Sequence, residues 1–290
     1  DASEEYDNNL DILTKKENGV FYTDVDLAEK IIEELPIQEN DSFVDPCCGT
    51  GSFLISLKSK GIPVENIYGA DIDRGAIKIA EKYLDGGNLY NTDTISIETS
   101  NLLKKMKRTE GFDYVVGNPP YVPLDKNIVI DTQNYLFLRS VKDSGSNLFV
   151  AALYRALQMV NDNGIIAYVI PKNFLHVSSY SLLRKKILNE TSILSIIDIG
   201  AYFKGVRGEQ IVLILKKKYE ENNTINIKKY ENGIFVGKCV VKQQFYTNDI
   251  ILFDSQEDFD IYVKMEKTYQ KFSDICTGYV GRGKAKSSTA

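Results

Sequence analysis

The chain has 290 residues, of which 43% are hydrophobic and 26% are charged, and its formal net charge is −5 at pH 7. This length fits one large domain or one domain with an appendage, and the apolar fraction is ample for a core. The composition excludes several classes of protein, because no apolar run is long enough for a membrane span, no signal-peptide core lies near the N-terminus, and no internal repeat is present.

The cysteines and the histidine argue against a metal site and against disulfides. Cys47, Cys48, Cys239 and Cys276 form no C-x-x-C pair, and neighbours 47 and 48 are poorly placed to bridge each other. A single histidine, His176, makes a zinc site unexpected. We therefore expect a cytoplasmic protein with reduced thiols and assign no metal.

Charge is distributed unevenly along the chain. Acidic residues are concentrated in residues 1–45, so the remainder is net basic. Small basic clusters occur near positions 104–108, 184–186, 216–218 and 228–229. We interpret most of them as solvated faces, with one or two able to contact phosphates.

The first predicted elements are a polar N-terminal extension, residues 1–20, and an amphipathic helix. Phe21-Tyr22-Thr23 precedes apolar residues that recur at helical spacing from Asp24 to Leu35. Thr23 is the expected N-cap of this helix, and Pro36 is expected to end it.

A glycine-rich turn follows the first predicted strand. Residues 42–45 indicate a short buried strand, residues 46–52 read Pro-Cys-Cys-Gly-Thr-Gly-Ser, and a helix is predicted from Phe53. Strand, glycine turn and helix form the first unit of nucleotide-binding α/β folds, in which the backbone approaches the ligand closely. Leu54 replaces the third glycine of a dinucleotide fingerprint, and the Asp45 carboxylate suits an ammonium group better than a pyrophosphate. The pattern favours S-adenosylmethionine over NAD.

Acidic residues follow the second predicted strand, residues 67–73. Asp71 or Asp73 is placed to bind a ribose diol, and the other is expected to cap the next helix, residues 74–83. A third strand is predicted over residues 94–98. Asn101 follows it and is either an adenine contact or a turn residue.

The chemistry is predicted at Asn118-Pro119-Pro120-Tyr121, which follows Gly117 and a buried strand at residues 112–116. The two prolines hold an extended, stiff backbone at the strand's carboxyl end, where ligands bind in open α/β sheets. Asn118 Oδ1 and the Pro119 carbonyl can accept both hydrogens of an exocyclic amine, and Tyr121 offers a face for stacking. The alternative is a purely structural role, in which residues 118–121 form a proline-rich turn at the end of a strand.

The remaining chain continues the α/β pattern. We predict a long loop at 122–146, helices at 147–160 and 178–188, a strand at 165–170, a hairpin of strands 193–199 and 211–215, two exposed strands within 225–241, a helix at 255–271, and a glycine- and lysine-rich tail at 277–288.

The order of these motifs resembles the adenine-N6 DNA methyltransferases of restriction-modification systems, in the subclass whose cofactor motifs precede the catalytic Asn-Pro-Pro-Tyr. The resemblance covers roughly residues 20–220. It implies a Rossmann-like methyltransferase fold with a mostly parallel seven-stranded sheet, a C-terminal antiparallel hairpin and helices on both faces. It also implies a catalytic domain at 21–220, followed at 221–290 by an extension that resembles the start of a truncated target-recognition domain.

The resemblance also assigns the site residues. The catalytic set is Asn118, Pro119, Pro120 and Tyr121, and the flipped base is expected between Tyr121 and Phe203. The family usually has Asp where Asn101 stands and Phe where Leu102 stands. The expected cofactor-binding residues are Phe21, Tyr22, Thr23, Asp45, Pro46, Cys47, Gly49, Gly51, Phe53, Asp71, Ile72, Asn101, Leu102, Asn118 and Pro120.

The implied function is methyl transfer from S-adenosylmethionine to N6 of a flipped adenine in double-stranded DNA. The expected partners are DNA and a target-recognition domain or nuclease that is missing or separate. One alternative is a methyltransferase that acts on RNA adenine or on protein glutamine, since Asn-Pro-Pro-Tyr occurs in those enzymes too. A second is a non-catalytic subunit that binds cofactor or DNA for a nuclease, which the intact Asn118 and Tyr121 disfavour.

Overall fold

The computed structural model of the chain describes residues 23–123, 147–203 and 207–268. The predictions for Phe21, Tyr22, Cys276 and the tail at 277–288 lie outside the described residues, as does most of the predicted loop at 122–146. The strands are β1 (Phe43–Asp45), β2 (Ile67–Asp71), β3 (Asn88–Asn91), β4 (Phe112–Gly117), β5 (Val160–Pro171), β6 (Ser192–Gly200), β7 (Gln210–Lys216), β8 (Thr224–Glu231) and β9 (Ile234–Lys242). The α-helices are α1 (Val25–Glu33), α2 (Ser52–Ser59), α3 (Arg74–Tyr83), α4 (Thr99–Lys105), α5 (Leu148–Met159), α6 (Ser181–Glu190) and α7 (Gln256–Thr268).

The strands form one sheet in the order β3-β2-β1-β4-β5-β7-β6-β8-β9. The pairings among β1 to β5 are parallel, as is the pairing of β6 with β8. Strand β7 runs antiparallel to both β5 and β6, and β9 runs antiparallel to β8. The predicted α/β class, the mostly parallel sheet and the hairpin of β6 and β7 are confirmed. The sheet has nine strands among the described residues, whereas seven were predicted.

Helices cover both faces of the sheet. Phe43 and Val44 are neighbours in β1 and both are fully buried, because successive side chains of a strand point to opposite faces. One face packs against α1, α2 and α3, and the other against α4, α5 and α6. Within the described ranges, no helix is long and apolar enough to cross a membrane.

Helices α1 and α5 each begin at a residue whose side chain caps the helix. Helix α1 is capped by Asp24, whose Oδ1 accepts a hydrogen bond from Leu27 N at 2.7 Å, so the prediction of Thr23 as the cap is wrong by one residue. Asp24 is the better cap because its carboxylate accepts a backbone hydrogen bond and is also stabilised by the positive N-terminal end of the helix dipole. Helix α5 begins after Asn147, whose side chain accepts a hydrogen bond from Phe149 N. Its bounds agree with the helix predicted at 147–160.

The third strand was predicted six residues too late. It spans Asn88–Asn91, and the predicted strand at 94–98 is instead a turn that leads into α4. The Asp93 carboxylate accepts from Ile95 N at 2.9 Å and from Ser96 N at 3.1 Å, which curls this segment. The alternation of apolar and polar residues at 94–98 imitates a strand, but local side-chain bonds to the backbone prevail there.

The sheet continues past residue 220. Strand β8 pairs with β6, and Ile225 and Ile227 of β8 are buried in the same core as α5, α6 and the central strands. The buried Gln243 donates to Leu188 O at 2.8 Å and to Thr191 O at 2.7 Å. The predicted boundary at 220 therefore falls between two strands of one continuous sheet.

Candidate functional site

The site lies where β1 and β4 end side by side. These strands are parallel neighbours, so the turn after Asp45 and the tetrapeptide after Gly117 emerge at the same edge. Gly117 has φ 148°, and a Cβ on it would lie 2.5 Å from Asp45 Oδ1. Only glycine permits this approach. The glycine turn and the Asn-Pro-Pro-Tyr segment therefore begin side by side.

The turn after β1 folds back on β2. Gly49 and Gly51 have positive φ angles of 53° and 94°, which other residues rarely adopt. Cys48 N donates to Ala70 O at 2.9 Å, and Gly51 N donates to Cys48 O at 2.9 Å. The turn delivers the chain into α2, whose N-terminus begins at Ser52 behind the site.

Asp71 ties this turn to the end of β2. Its Oδ2 accepts from Gly49 N and its Oδ1 from Asp73 N, both at 2.8 Å. Burial raises the pKa of Asp71, although the backbone hydrogen bonds oppose that shift. Asp73 caps α3 through Gly75 N at 2.7 Å, as expected for one of the two aspartates, and the ribose contact of Asp71 stays a prediction. Ile72 between them is 73% exposed, an unusual position for a large apolar side chain at a ligand-binding edge.

Asp45 is 2% exposed and its Oδ1 accepts from Cys47 N at 3.0 Å. Burial raises the pKa of Asp45 to about 8, and the nearby Asp71 carboxylate adds to the shift. The carboxyl group is therefore mostly protonated at neutral pH until a cation comes close.

In the Asn-Pro-Pro-Tyr tetrapeptide, Tyr121 is folded back toward Asn118. Its hydroxyl donates to Asn118 Oδ1 and lies 2.9 Å from Val169 O of β5. Its ring meets Phe149 of α5 edge-on, with ring centroids 6.3 Å apart. Burial holds the pKa of Tyr121 well above its usual range, so the hydroxyl keeps its hydrogen.

Phe203 lies in the connection from β6 to β7 and is 9% exposed. Its ring packs against Tyr202 with centroids 5.3 Å apart, and the Tyr202 hydroxyl donates to Asp24 Oδ2 at 2.8 Å. The connection that carries Phe203 is thus tied to the start of α1, next to Thr23.

Comparisons with known proteins identify the family of the chain. The profile of the family described as N-6 DNA Methylase matches residues 5–274 of the chain. The Type II methyltransferase M.VspI of Vibrio sp. (strain 343) is 31% identical over 231 residues, which cover 78% of this chain and 54% of that protein. The chain belongs to the N-6 DNA methylase family.

Two further similarities agree with family membership. The modification methylase CviBIII of Paramecium bursaria Chlorella virus NC1A is 31% identical over 179 residues, which cover 60% of this chain and 43% of that protein. The type I restriction-modification system methyltransferase subunit from Streptococcus thermophilus has the same fold, with a TM-score of 0.57, 19% identity, and coverage of 87% of this chain and 54% of that one. This N-6 DNA methylase chain spans about half the length of the curated relatives it matches.

The comparisons support S-adenosylmethionine as the cofactor of this methylase, and the residues at the edge fit it. The hydroxyl oxygens of Thr23 and Thr50 are buried without a hydrogen-bond partner among the described residues. Buried polar atoms rarely stay unsatisfied in a native protein, so they indicate that a polar ligand completes the site. The buried carboxyl of Asp45 can pair with an ammonium group. The positive φ angles of Gly49 and Gly51 let the backbone lie close to a ligand, and exposed Ile72 offers an apolar surface.

The structure does not bring every predicted cofactor residue of the methylase to this edge. Asn101 lies inside α4 and is exposed, and Leu102 is fully buried in the core below it. Their predicted place at the edge is taken by Asp93 and Thr94, which follow β3. The Thr94 hydroxyl donates to Pro46 O at 2.8 Å and so contacts the glycine turn directly. The sequence signal for Asp93 is an acidic residue just after the apolar pair Leu89-Tyr90, as at the end of β2.

Proposed function

We propose that this chain transfers a methyl group from S-adenosylmethionine to N6 of an adenine flipped out of double-stranded DNA. The products would be N6-methyladenine, S-adenosylhomocysteine and one proton released from the methylated amine, and the reaction would be the modification activity of a restriction-modification system. The observation that carries the proposal is the contact between Gly117 and Asp45, which sets the catalytic tetrapeptide against the glycine turn. Membership of the N-6 DNA methylase family supports the same acceptor.

The proposed roles at the cofactor end follow from the chemistry of each residue. Asp45 binds the ammonium group, Asp71 the ribose hydroxyls, and Ile72 covers one face of the adenine ring. Asp93 replaces Asn101 as the partner of the adenine amine, because it follows β3 at the edge. Pro46, Cys47, Gly49, Gly51, Phe53 and Thr23 line the remaining surface, and when bound the cofactor supplies an activated methyl group on a sulfonium.

At the acceptor end, Asn118 and Pro119 act on the amine of the target base. The lone pair of this amine is delocalised into the ring, which makes it a weak nucleophile. Asn118 Oδ1 and the Pro119 carbonyl accept its two hydrogens, favour a pyramidal nitrogen and stabilise the positive charge that develops there. The fixed backbone of Pro119-Pro120 supplies alignment, which accounts for much of the remaining rate.

The flipped base must recover the cost of leaving the duplex, a few kcal/mol. Stacking on Tyr121 returns about 1–3 kcal/mol, with Phe203 as the proposed second wall. The Tyr121 hydroxyl donates a hydrogen bond to Asn118 Oδ1, and this bond has to break before that oxygen can accept from the amine of the target base. Val169 O lies 2.9 Å from the same hydroxyl and can accept its hydrogen, which makes the release inexpensive.

The DNA substrate implies partners and a cellular site. We infer that the chain acts in the cytoplasm, on double-stranded DNA, together with a target-recognition domain or nuclease on the same or another polypeptide. The basic remainder of the chain beyond residue 45 agrees with a polyanionic substrate.

The decisive experiment expresses the chain in a host that lacks N6-methyladenine. Mass spectrometry then measures this nucleoside in digested DNA and RNA, and N5-methylglutamine in digested protein. Asn118→Ala should abolish the DNA signal, because it removes an acceptor needed only in the transition state. The matched control is Asn222→Ala, an exposed asparagine in the turn before β8. Methylation of RNA or protein alone would replace the proposed acceptor, and cofactor binding without methylation would favour a non-catalytic subunit.

A further inference from the structure

A buried arginine lies beneath the segment that follows β3. Arg155 of α5 is 3% exposed. Its Nη2 donates to Ile95 O at 3.1 Å and to Ile97 O at 2.6 Å, and its Nη1 donates to the Thr99 hydroxyl. A buried charge is costly to desolvate unless it is well hydrogen-bonded, so these bonds fix both the guanidinium and the segment it holds.

The segment held by Arg155 is continuous with the residues at the cofactor side of the edge. Asp93 and Thr94 come directly before Ile95 in the chain. The Asp93 carboxylate is oriented by Ile95 N and Ser96 N, and the Thr94 hydroxyl donates to Pro46 O. Any shift of the Ile95 and Ile97 carbonyls therefore moves the Asp93 carboxylate and loosens the contact of Thr94 with the glycine turn.

The same helix also contacts the acceptor side. Leu148 N, at the start of α5, donates to Val122 O at 2.7 Å, just after the catalytic tetrapeptide. Phe149 meets the ring of Tyr121. Helix α5 thus touches the acceptor segment at its first turn and the cofactor segment at its second and third turns.

We propose that Arg155 is a positioning residue for the nucleoside end of the cofactor. The proposal rests on the use of S-adenosylmethionine proposed above. Arg155 acts through the Ile95 and Ile97 carbonyls, which set the place of the Asp93 carboxylate and the seat of Thr94 on Pro46. Its effect is on nucleoside recognition and is separate from general support of the core.

The test measures binding of S-adenosylhomocysteine and of adenosine by isothermal titration calorimetry. We expect Arg155→Met to weaken both ligands by about tenfold, which corresponds to about 1.4 kcal/mol. Arg155→Lys should give a smaller loss of the same kind, because an ammonium cannot serve three acceptors in the fixed geometry of a guanidinium. Hydrogen exchange at residues 93–99 should increase in both variants.

The matched control is Arg184→Met, which removes a fully buried arginine of α6 that donates to Phe174 O, Val177 O and Asn248 O. It should lower the melting temperature and leave the Kd of both ligands within about twofold of the wild type, less than 0.5 kcal/mol. Equal losses of affinity in Arg155→Lys and Arg184→Met would overturn the proposal, as would unchanged affinities in Arg155→Lys. If the wild-type chain binds neither ligand, the proposed cofactor use fails and the role of Arg155 fails with it.

Discussion

Asp45 has a carboxyl group whose ionisation depends on what lies beside it. Burial raises its pKa to about 8 in the ligand-free protein. The α-amino group of a peptide N-terminus has a pKa of about 7.7–8.0, and the carboxylate beside the amine of a free amino acid raises that pKa further. When the Asp45 carboxylate pairs with the ammonium group of the ligand, the two groups together hold one titratable proton. At pH 6 one proton must therefore leave on binding, and above the pKa of the ligand's amine one must be gained.

We therefore predict that the affinity for S-adenosylhomocysteine rises between pH 6 and about 8 and falls at higher pH. The rise should approach tenfold per pH unit at its steepest, the limit for release of one proton. Calorimetry in buffers of different ionisation enthalpy counts that proton. In Asp45→Asn the affinity should be low and nearly independent of pH from 6 to 7.5, and a retained slope would assign the titration to another group.

The same group has an opposite effect on the stability of the ligand-free chain. A carboxyl whose folded pKa is raised stabilises the fold below its unfolded pKa of about 3.9, and this contribution is lost as pH rises through about 8. The melting temperature of Asp45→Asn minus that of the wild type should therefore increase from pH 5 to pH 8. The proposed recognition of the ammonium group by Asp45 would thus carry a cost in stability.

At the scale of the element, the junction of β1 with β4 determines the site. Gly117→Ala would place a methyl group 2.5 Å from Asp45 Oδ1, at a φ of 148° that costs about 1–3 kcal/mol for other residues. We predict a lower melting temperature and at least a tenfold loss of cofactor affinity. A tenfold loss needs only about 1.4 kcal/mol of binding free energy, which a displaced Asp45 carboxylate can account for. Differential scanning fluorimetry and calorimetry measure the two effects.

Gly237→Ala is the control for that substitution. Gly237 lies in β9, and no heavy atom lies within 4 Å of the position of its added Cβ. The alanine should leave cofactor affinity unchanged. If both glycine variants lose affinity to the same degree, the contact between Gly117 and Asp45 has no special importance.

The elements that frame the site were predictable where strong local signals bound them. β1 and β4 end at glycine or proline turns, β2 ends at Asp71 just before a helix cap, and each of the three strands carries a short apolar run in the sequence. β3 was missed because only Leu89 and Tyr90 in it are apolar, whereas Ile95 and Ile97 alternate like a strand nearby. The position of Asn101 was then predicted from the wrong strand end.

The role of Arg155 could not be predicted from its local sequence. It stands in an apolar helix, and the carbonyl oxygen of Ile95 that it binds is 60 residues away in the chain. Long-range side-chain bonds of this kind follow from how helices pack on the sheet, and no short motif encodes them. The same holds for Tyr121, whose hydroxyl finds Val169 O only because β5 lies beside β4.

At the scale of the whole molecule, the sheet does not stop near residue 220, where the recognisable sequence motifs end. Strands β8 and β9 bury Ile225, Ile227 and Val241, and Gln243 pairs with Ile193 N, Leu188 O and Thr191 O. Each buried aliphatic side chain contributes about 1.5–3 kcal/mol. Each buried polar group left unpaired costs about 1–3 kcal/mol.

We predict that a chain cut after residue 220 does not fold, because these losses together are as large as the 5–15 kcal/mol by which a typical domain is stable. It would also expose the edge of β6, a template for aggregation. A chain cut after residue 268 retains β8, β9 and α7 and should unfold cooperatively with a melting temperature near that of the full chain. Circular dichroism and size-exclusion chromatography compare the two. A folded, monomeric 1–220 fragment would mean that the sheet is complete at β6 and that β8 and β9 are an accessory to it.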